Sequence, residues 1–96
     1  MTSRSQYVES LYDEMRSSLA RSEAAEETYR QRVEQHIAQG AKVGRSAVDC
    51  EVRASTDAIV VGARADGAYY RDRARTYGIA YLVEVAAAKE ETWPTI

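Results

Sequence analysis

The chain has 96 residues, a net charge of −2, a pI near 5.4 and one cysteine. These values bound it as one small domain with no disulfide scaffold, no cysteine-based metal spacing and no global pull toward nucleic acid or anionic lipid. The N-terminal MTSRSQYVESLYDEM lacks the apolar run of a secretory signal, and no segment approaches about 18 consecutive apolar residues. A soluble, uncleaved chain with no membrane contact is expected, in the cytoplasm of a bacterial cell or in a virion. Eleven Arg stand against two Lys, Ala is abundant, and Phe and Asn are missing. Ala and Arg have GC-rich codons, so the expected source is a high-GC genome such as an actinobacterium or one of its phages.

Taken in chain order, the first signal is Ser3 followed three residues later by Gln6, a capping-box pattern. Val8, Leu11, Tyr12, Met15 and Leu19, then Ser22, Ala25, Tyr29, Val33 and Ile37, recur at spacings of three and four. That periodicity predicts a helix over about 4–38. The stretch QGAKVGRS, with Gly40 and Gly44, predicts a turn over 39–45. Glycine after a helix supplies a left-handed cap, and Ser46 with Asp49 offers a new N-cap.

From Ser46 onward two readings compete. Ile59, Val60 and Val61 are β-branched and Asp66-Gly67 is a favoured hairpin turn, which would suit strands. The flanks do not alternate, however. On a helix, Val48, Val52, Ile59, Ala63, Tyr70 and Ala74 join Tyr77, Tyr81, Val85 and Ala88 in one sector about 100° wide. A second long helix over about 46–91 is therefore expected, with a kink near Gly62–Gly67 left open, followed by a short tail over 92–96. A short connection between two long helices makes an antiparallel hairpin. The fold class expected is all-α, a helical hairpin assembled into an oligomer.

The oligomer follows from a second apolar surface on the same helix: Cys50, Ala54, Ala58, Val61, Ala65, Ala68, Tyr69, Ile79, Val83 and Ala86. The first helix can cover only one side, so the other requires a partner. Val83 to Glu91 should also overhang the shorter first helix, and Trp93 extends that end. Val61, Ala65, Tyr69, Ile79, Val83 and Trp93 are the expected interface with another copy or another helical protein. Tyr7, Leu11 and Tyr12 come level with Tyr70, Tyr77 and Tyr81, so an aromatic cluster is expected away from the turn.

Chemistry is harder to find. Glu23, Glu26, Glu27 and Glu34 with His36 invite a metal reading, but no Glu-x-x-His is present. No nucleophile elbow exists, and QGAKVGRS fails the phosphate-loop pattern because Lys42 precedes the second Gly. No cofactor, no metal and no catalysis are expected. Arg53, Arg64, Arg71 and Arg75 fall within about 40° of one another on the second helix, a candidate basic ridge.

In outline the chain resembles the Trp-x-Gly helical hairpins exported by type VII secretion. The turn here is QGAKVG with no Trp, and Tyr77 and Tyr81 are followed at i+4 by Tyr81 and Val85 rather than an acid. The resemblance implies two antiparallel helices and carries no function. The expected role is a non-enzymatic, self-associating structural or adaptor component. The alternative is a small regulatory protein that binds a host protein or nucleic acid through the arginine ridge.

Overall fold

Ser3 opens the first helix as a capping box: its hydroxyl accepts from the Gln6 N–H at 3.2 Å, and its own N–H donates to Gln6 Oε1 at 3.1 Å. The computed structural model describes residues 3–92. It is all-α, with α1 over Arg4–Lys42, α2 over Ala47–Thr56 and α3 over Ala58–Thr92. None of the described residues lies in a strand, and Asp66-Gly67 sits within α3 rather than at a hairpin turn.

α1 runs past the expected end at 38 because Gly40 is not the cap. It lies inside the helix, buried, with Cys50 Sγ in the space a Cβ would need. The left-handed residue is Gly44, with φ of 73°. Beyond it the Arg45 N–H donates to the Gly40 carbonyl at 2.8 Å, the long backward bond that closes a glycine-terminated helix. Ser46 then caps α2, its hydroxyl accepting from the Asp49 N–H at 3.1 Å.

The expected second helix is two helices. Thr56 ends α2 and Asp57, at φ −70° and ψ 123°, is extended. Its N–H donates to the Ala54 carbonyl at 3.2 Å, while its own carbonyl accepts from the Val61 N–H at 2.9 Å. Asp57 therefore closes α2 and opens α3. Gly62 and Gly67 lie within α3 without breaking it.

This interruption rotates the buried face. Cys50 and Ala54 are buried in α2, and Val60, Ala63 and Ala74 in α3. On one unbroken helix Ala54 and Val60 would point about 120° apart, at about 100° per residue. The extended residue takes up that difference. Val48 and Val52, expected on the core stripe, are consequently exposed at 67% and 55%, and Ile59, in the first turn of α3, is exposed at 49%. From Ala63 through Tyr70 and Ala74 to Tyr81 the expected stripe faces α1.

Pairs between α1 and α3 run in opposite directions along the chain: Arg4 with Glu84 at 3.5 Å, Tyr12 with Tyr81 at 5.2 Å between ring centroids, Arg21 with Tyr70 at 3.4 Å. Small residues line the contact. Ser18 and Ser22 are buried, and the Ser22 hydroxyl donates to the Gly67 carbonyl at 3.3 Å. A Cβ on Gly78 would meet Met15 Sδ at 3.2 Å, so Gly67 and Gly78 serve approach to α1 rather than to another chain. Because α1 reaches Glu84 through Arg4, and Val85 and Ala88 are half-buried, the expected overhang from Val83 is shorter than helix lengths suggested.

The result is long and thin, 74 × 29 × 15 Å, with a radius of gyration of 20.9 Å against about 12.5 Å for a compact domain of this length. Fifteen ångströms is little more than one helix diameter, so the helices form a single layer.

Gly40→Ala should lower the melting temperature, although alanine is better by about 1 kcal/mol in helix propensity. Adding Cys50→Ala should restore much of the loss, because the steric conflict is with that sulfur. A double-mutant cycle followed by circular dichroism measures the coupling.

Candidate interaction surface around the Asp57 break

Asp57 is the residue on which all three helices converge. Its side chain is only 9% exposed, and one oxygen, Oδ2, accepts from Arg32 Nε at 2.7 Å and lies 2.6 Å from His36 Nε2, both on α1. The other, Oδ1, accepts from the Ile59 N–H at 2.8 Å and so caps α3. The hydrogen bond from His36, then that from Arg32, holds the carboxyl well below the usual carboxylate range. The cluster is a clamp whose acceptors are filled.

Two concavities flank it. On the polar side His36, Gln39, Arg45, Arg53, Thr56 and Asp57 line a shallow space of about 360 Å³. The Thr56 hydroxyl there donates to the backbone carbonyls of Arg53 and Val52 at 3.1 and 3.3 Å. On the other side a groove of about 530 Å³ has Tyr29, Val33, Ala54, Val60, Val61 and Ala65 among its walls, with Glu51 and Arg64 at its polar edge.

The expected interface residues split between placement and silence. Val61, Tyr69, Ile79 and Val83 are 53%, 57%, 54% and 60% exposed on the side of α3 away from α1, with Ala65 exposed beside them. Trp93 lies outside the described residues. Cys50 and Ala54, assigned by sequence to the same outward surface, are instead buried against α1 by the rotation at Asp57.

The basic ridge does not stay together. Arg53 lines the polar space with His36, whereas Arg64 and Arg71 line a groove with Glu26 and Tyr29. Arg71 pairs with Glu26, and Arg75 is exposed and lines neither. Arg73, outside the expected ridge, is engaged by two tyrosines. It donates to the Tyr69 and Tyr77 hydroxyls at 3.3 Å each, with its carbon 5.2 Å from the Tyr77 ring centroid.

The expected aromatic cluster is dispersed. Tyr12 meets Tyr81, but Tyr70 lies against Arg21 and Tyr77 against Arg73. The acidic face of α1 is likewise divided: Glu26 pairs with Arg71, and Glu27 with Arg30 at 2.5 Å. Among the described residues no three His, Cys, Asp or Glu side chains gather as metal ligands, and no helix is long and apolar enough to cross a membrane.

The arrangement presents an outer face of α3 with exposed apolar side chains, and a groove whose lining includes one acid, Glu51, and one base, Arg64. Compared with protein families, curated proteins and solved structures, the chain matches no family model, no curated protein and no solved structure.

Asp57 contributes stability as an anion. With its native pKa depressed, that contribution is full above the ordinary carboxyl range near 4 and is lost as pH falls below it. Asp57→Asn should therefore melt lower than wild type at pH 7, with the difference narrowing as acid is added. A gap unchanged between about pH 7 and pH 2.5 would remove the anionic clamp as its cause.

Proposed function

We propose that the protein is a non-enzymatic helical component that works through protein–protein contacts, associates with copies of itself, and serves a structural or adaptor role. In this reading the helices act as a hairpin-shaped rod that assembles side by side. The abundance of Ala and Arg, with Phe and Asn missing, supports a source in a high-GC bacterium or one of its phages.

One observation carries the reading: the α3 face away from α1 leaves Val61, Tyr69, Ile79 and Val83 more than half exposed. The bare area matters because the core is thin. Accessible surface is 7480 Å², where a compact monomer of 10.7 kDa would show about 5500 Å². The excess of roughly 2000 Å² per chain is more than the roughly 800 Å² that one partner contributes to a standard protein–protein interface.

Light scattering at high micromolar concentration should give a defined multimer, and Val61→Glu or Val83→Glu should dissociate it by burying an unpaired carboxylate. A clean monomer, with both substitutions tolerated, refutes self-association.

The regulatory alternative rests on the arginine ridge and has less support, since Arg71 is paired with Glu26 and Arg53 lies apart from Arg64. No salt-sensitive complex with DNA or RNA is expected at physiological ionic strength. A sub-micromolar complex weakened by changing Arg64, Arg71 and Arg75 to Ala would reverse this preference.

A further inference from the structure

On the outer face of α3, Ala65, Tyr69, Asp72, Thr76, Ile79 and Val83 follow one another at alternating steps of four and three. All six are exposed. Gly62 and Ala86 extend the series by one step at each end, and no side chain lies within 4 Å of where a Cβ on Gly62 would stand. Alternating steps of three and four are the heptad repeat of a coiled-coil seam. Its two polar members are adjacent and central.

We propose that this seam pairs with the same seam of a second copy running antiparallel, about a twofold axis level with Ala74. The proposal rests on the self-association inferred above and assigns its geometry. In this register Ala65 packs against the partner's Val83, Tyr69 against the partner's Ile79, and Asp72 meets the partner's Thr76. Gly62 and Ala86 close the two ends. Twofold symmetry repeats each layer, so the contact closes on itself and leaves no half-used surface.

Charge and polarity select this register over its neighbours. A parallel, in-register pair sets Asp72 against the partner's Asp72, like charges within a dry seam. An antiparallel pair slipped by one heptad sets Asp72 against the partner's Tyr69 or Val83 and surrounds a carboxylate with apolar groups. It also leaves layers unmatched at the ends. Only the axis at Ala74 puts both polar layers on each other and every apolar residue on an apolar one. The Thr76 hydroxyl, which in the single chain donates to the Asp72 carbonyl at 3.1 Å, can turn to donate to the partner's carboxylate. A polar layer of this kind fixes register at some cost in stability.

Single-cysteine variants test the geometry in the full-length chain with Cys50→Ala as background. Ala65→Cys and Val83→Cys are oxidised separately and as an equal mixture. A disulfide-linked dimer should form in the mixture and in neither variant alone, because copies of position 65 would lie about 27 Å apart along the seam, far beyond disulfide reach. Dimers formed by each variant alone would overturn the antiparallel pairing. A multimer by light scattering with no cross-link in the mixture would overturn the register and leave self-association standing. A monomer would remove both.

Discussion

The Asp57 carboxylate carries three obligations at once. It accepts from Arg32, meets His36, and supplies the first cap of α3. Helix ends leave backbone N–H groups without partners, and a break in the middle of a long helix creates such an end where none was required. Without an acceptor for the Ile59 N–H, and without two groups from α1 fixing the acceptor, the chain from Ala47 to Thr92 would gain by running on as one helix. It would then turn either Cys50 and Ala54 or Val60 and Ala74 away from α1. The buried faces of both arms thus depend on one side chain nearly hidden from water.

The second constraint is the smallness of what is buried. Ser18, Ser22, Cys50, Ala54, Ala63 and Ala74 make a narrow contact in which backbones approach closely, with Leu11 and Val60 the larger buried members. Close approach favours dispersion and the Ser22 to Gly67 hydrogen bond, but it removes little apolar area per residue. Larger side chains are displaced outward. Tyrosines at the flanks are held by arginines: Arg21 over Tyr70 and Arg73 over Tyr77. Ion pairs such as Arg4 with Glu84 add about 0–1 kcal/mol each where exposed. A single layer of helices therefore ends with a scant core and a rich surface, the imbalance that drives the proposal of self-association.

Local chemistry was legible and long-range phase was not. Ser3 with Gln6 and Ser46 with Asp49 can be read as caps because every partner lies within three residues. The stripe from Ala63 to Tyr81 can be read because a helix keeps its phase. Val48 and Val52 were misplaced because the phase is lost at Asp57, in a Ser-Thr-Asp run with neither Pro nor Gly to mark it. That run did hold a signal, since all three residues compete for backbone groups and favour caps. His36 looked like an incidental member of an acidic face because its partner is 21 residues distant and reaches it only once the break exists. Gly40 looked like a cap because glycine near a helix end usually is one. Its reason is the sulfur of Cys50 across the gap, which no local pattern encodes.

The interruption also decides which changes in chain length the protein can absorb. Adding or deleting one residue in a helix turns everything beyond it by about 100°. Within α2 such an edit would turn Cys50, seated against Gly40, relative to Asp57, which is held by Arg32 and His36 of α1. The same edit just after Asp57 would swing the remaining length of α3, exchanging Ala63 and Ala74 for residues from the opposite face. Drift in chain length among descendants of this sequence is therefore expected to collect on the turn between α1 and α2, leaving α2 and the span after Asp57 fixed in length while their surface residues vary.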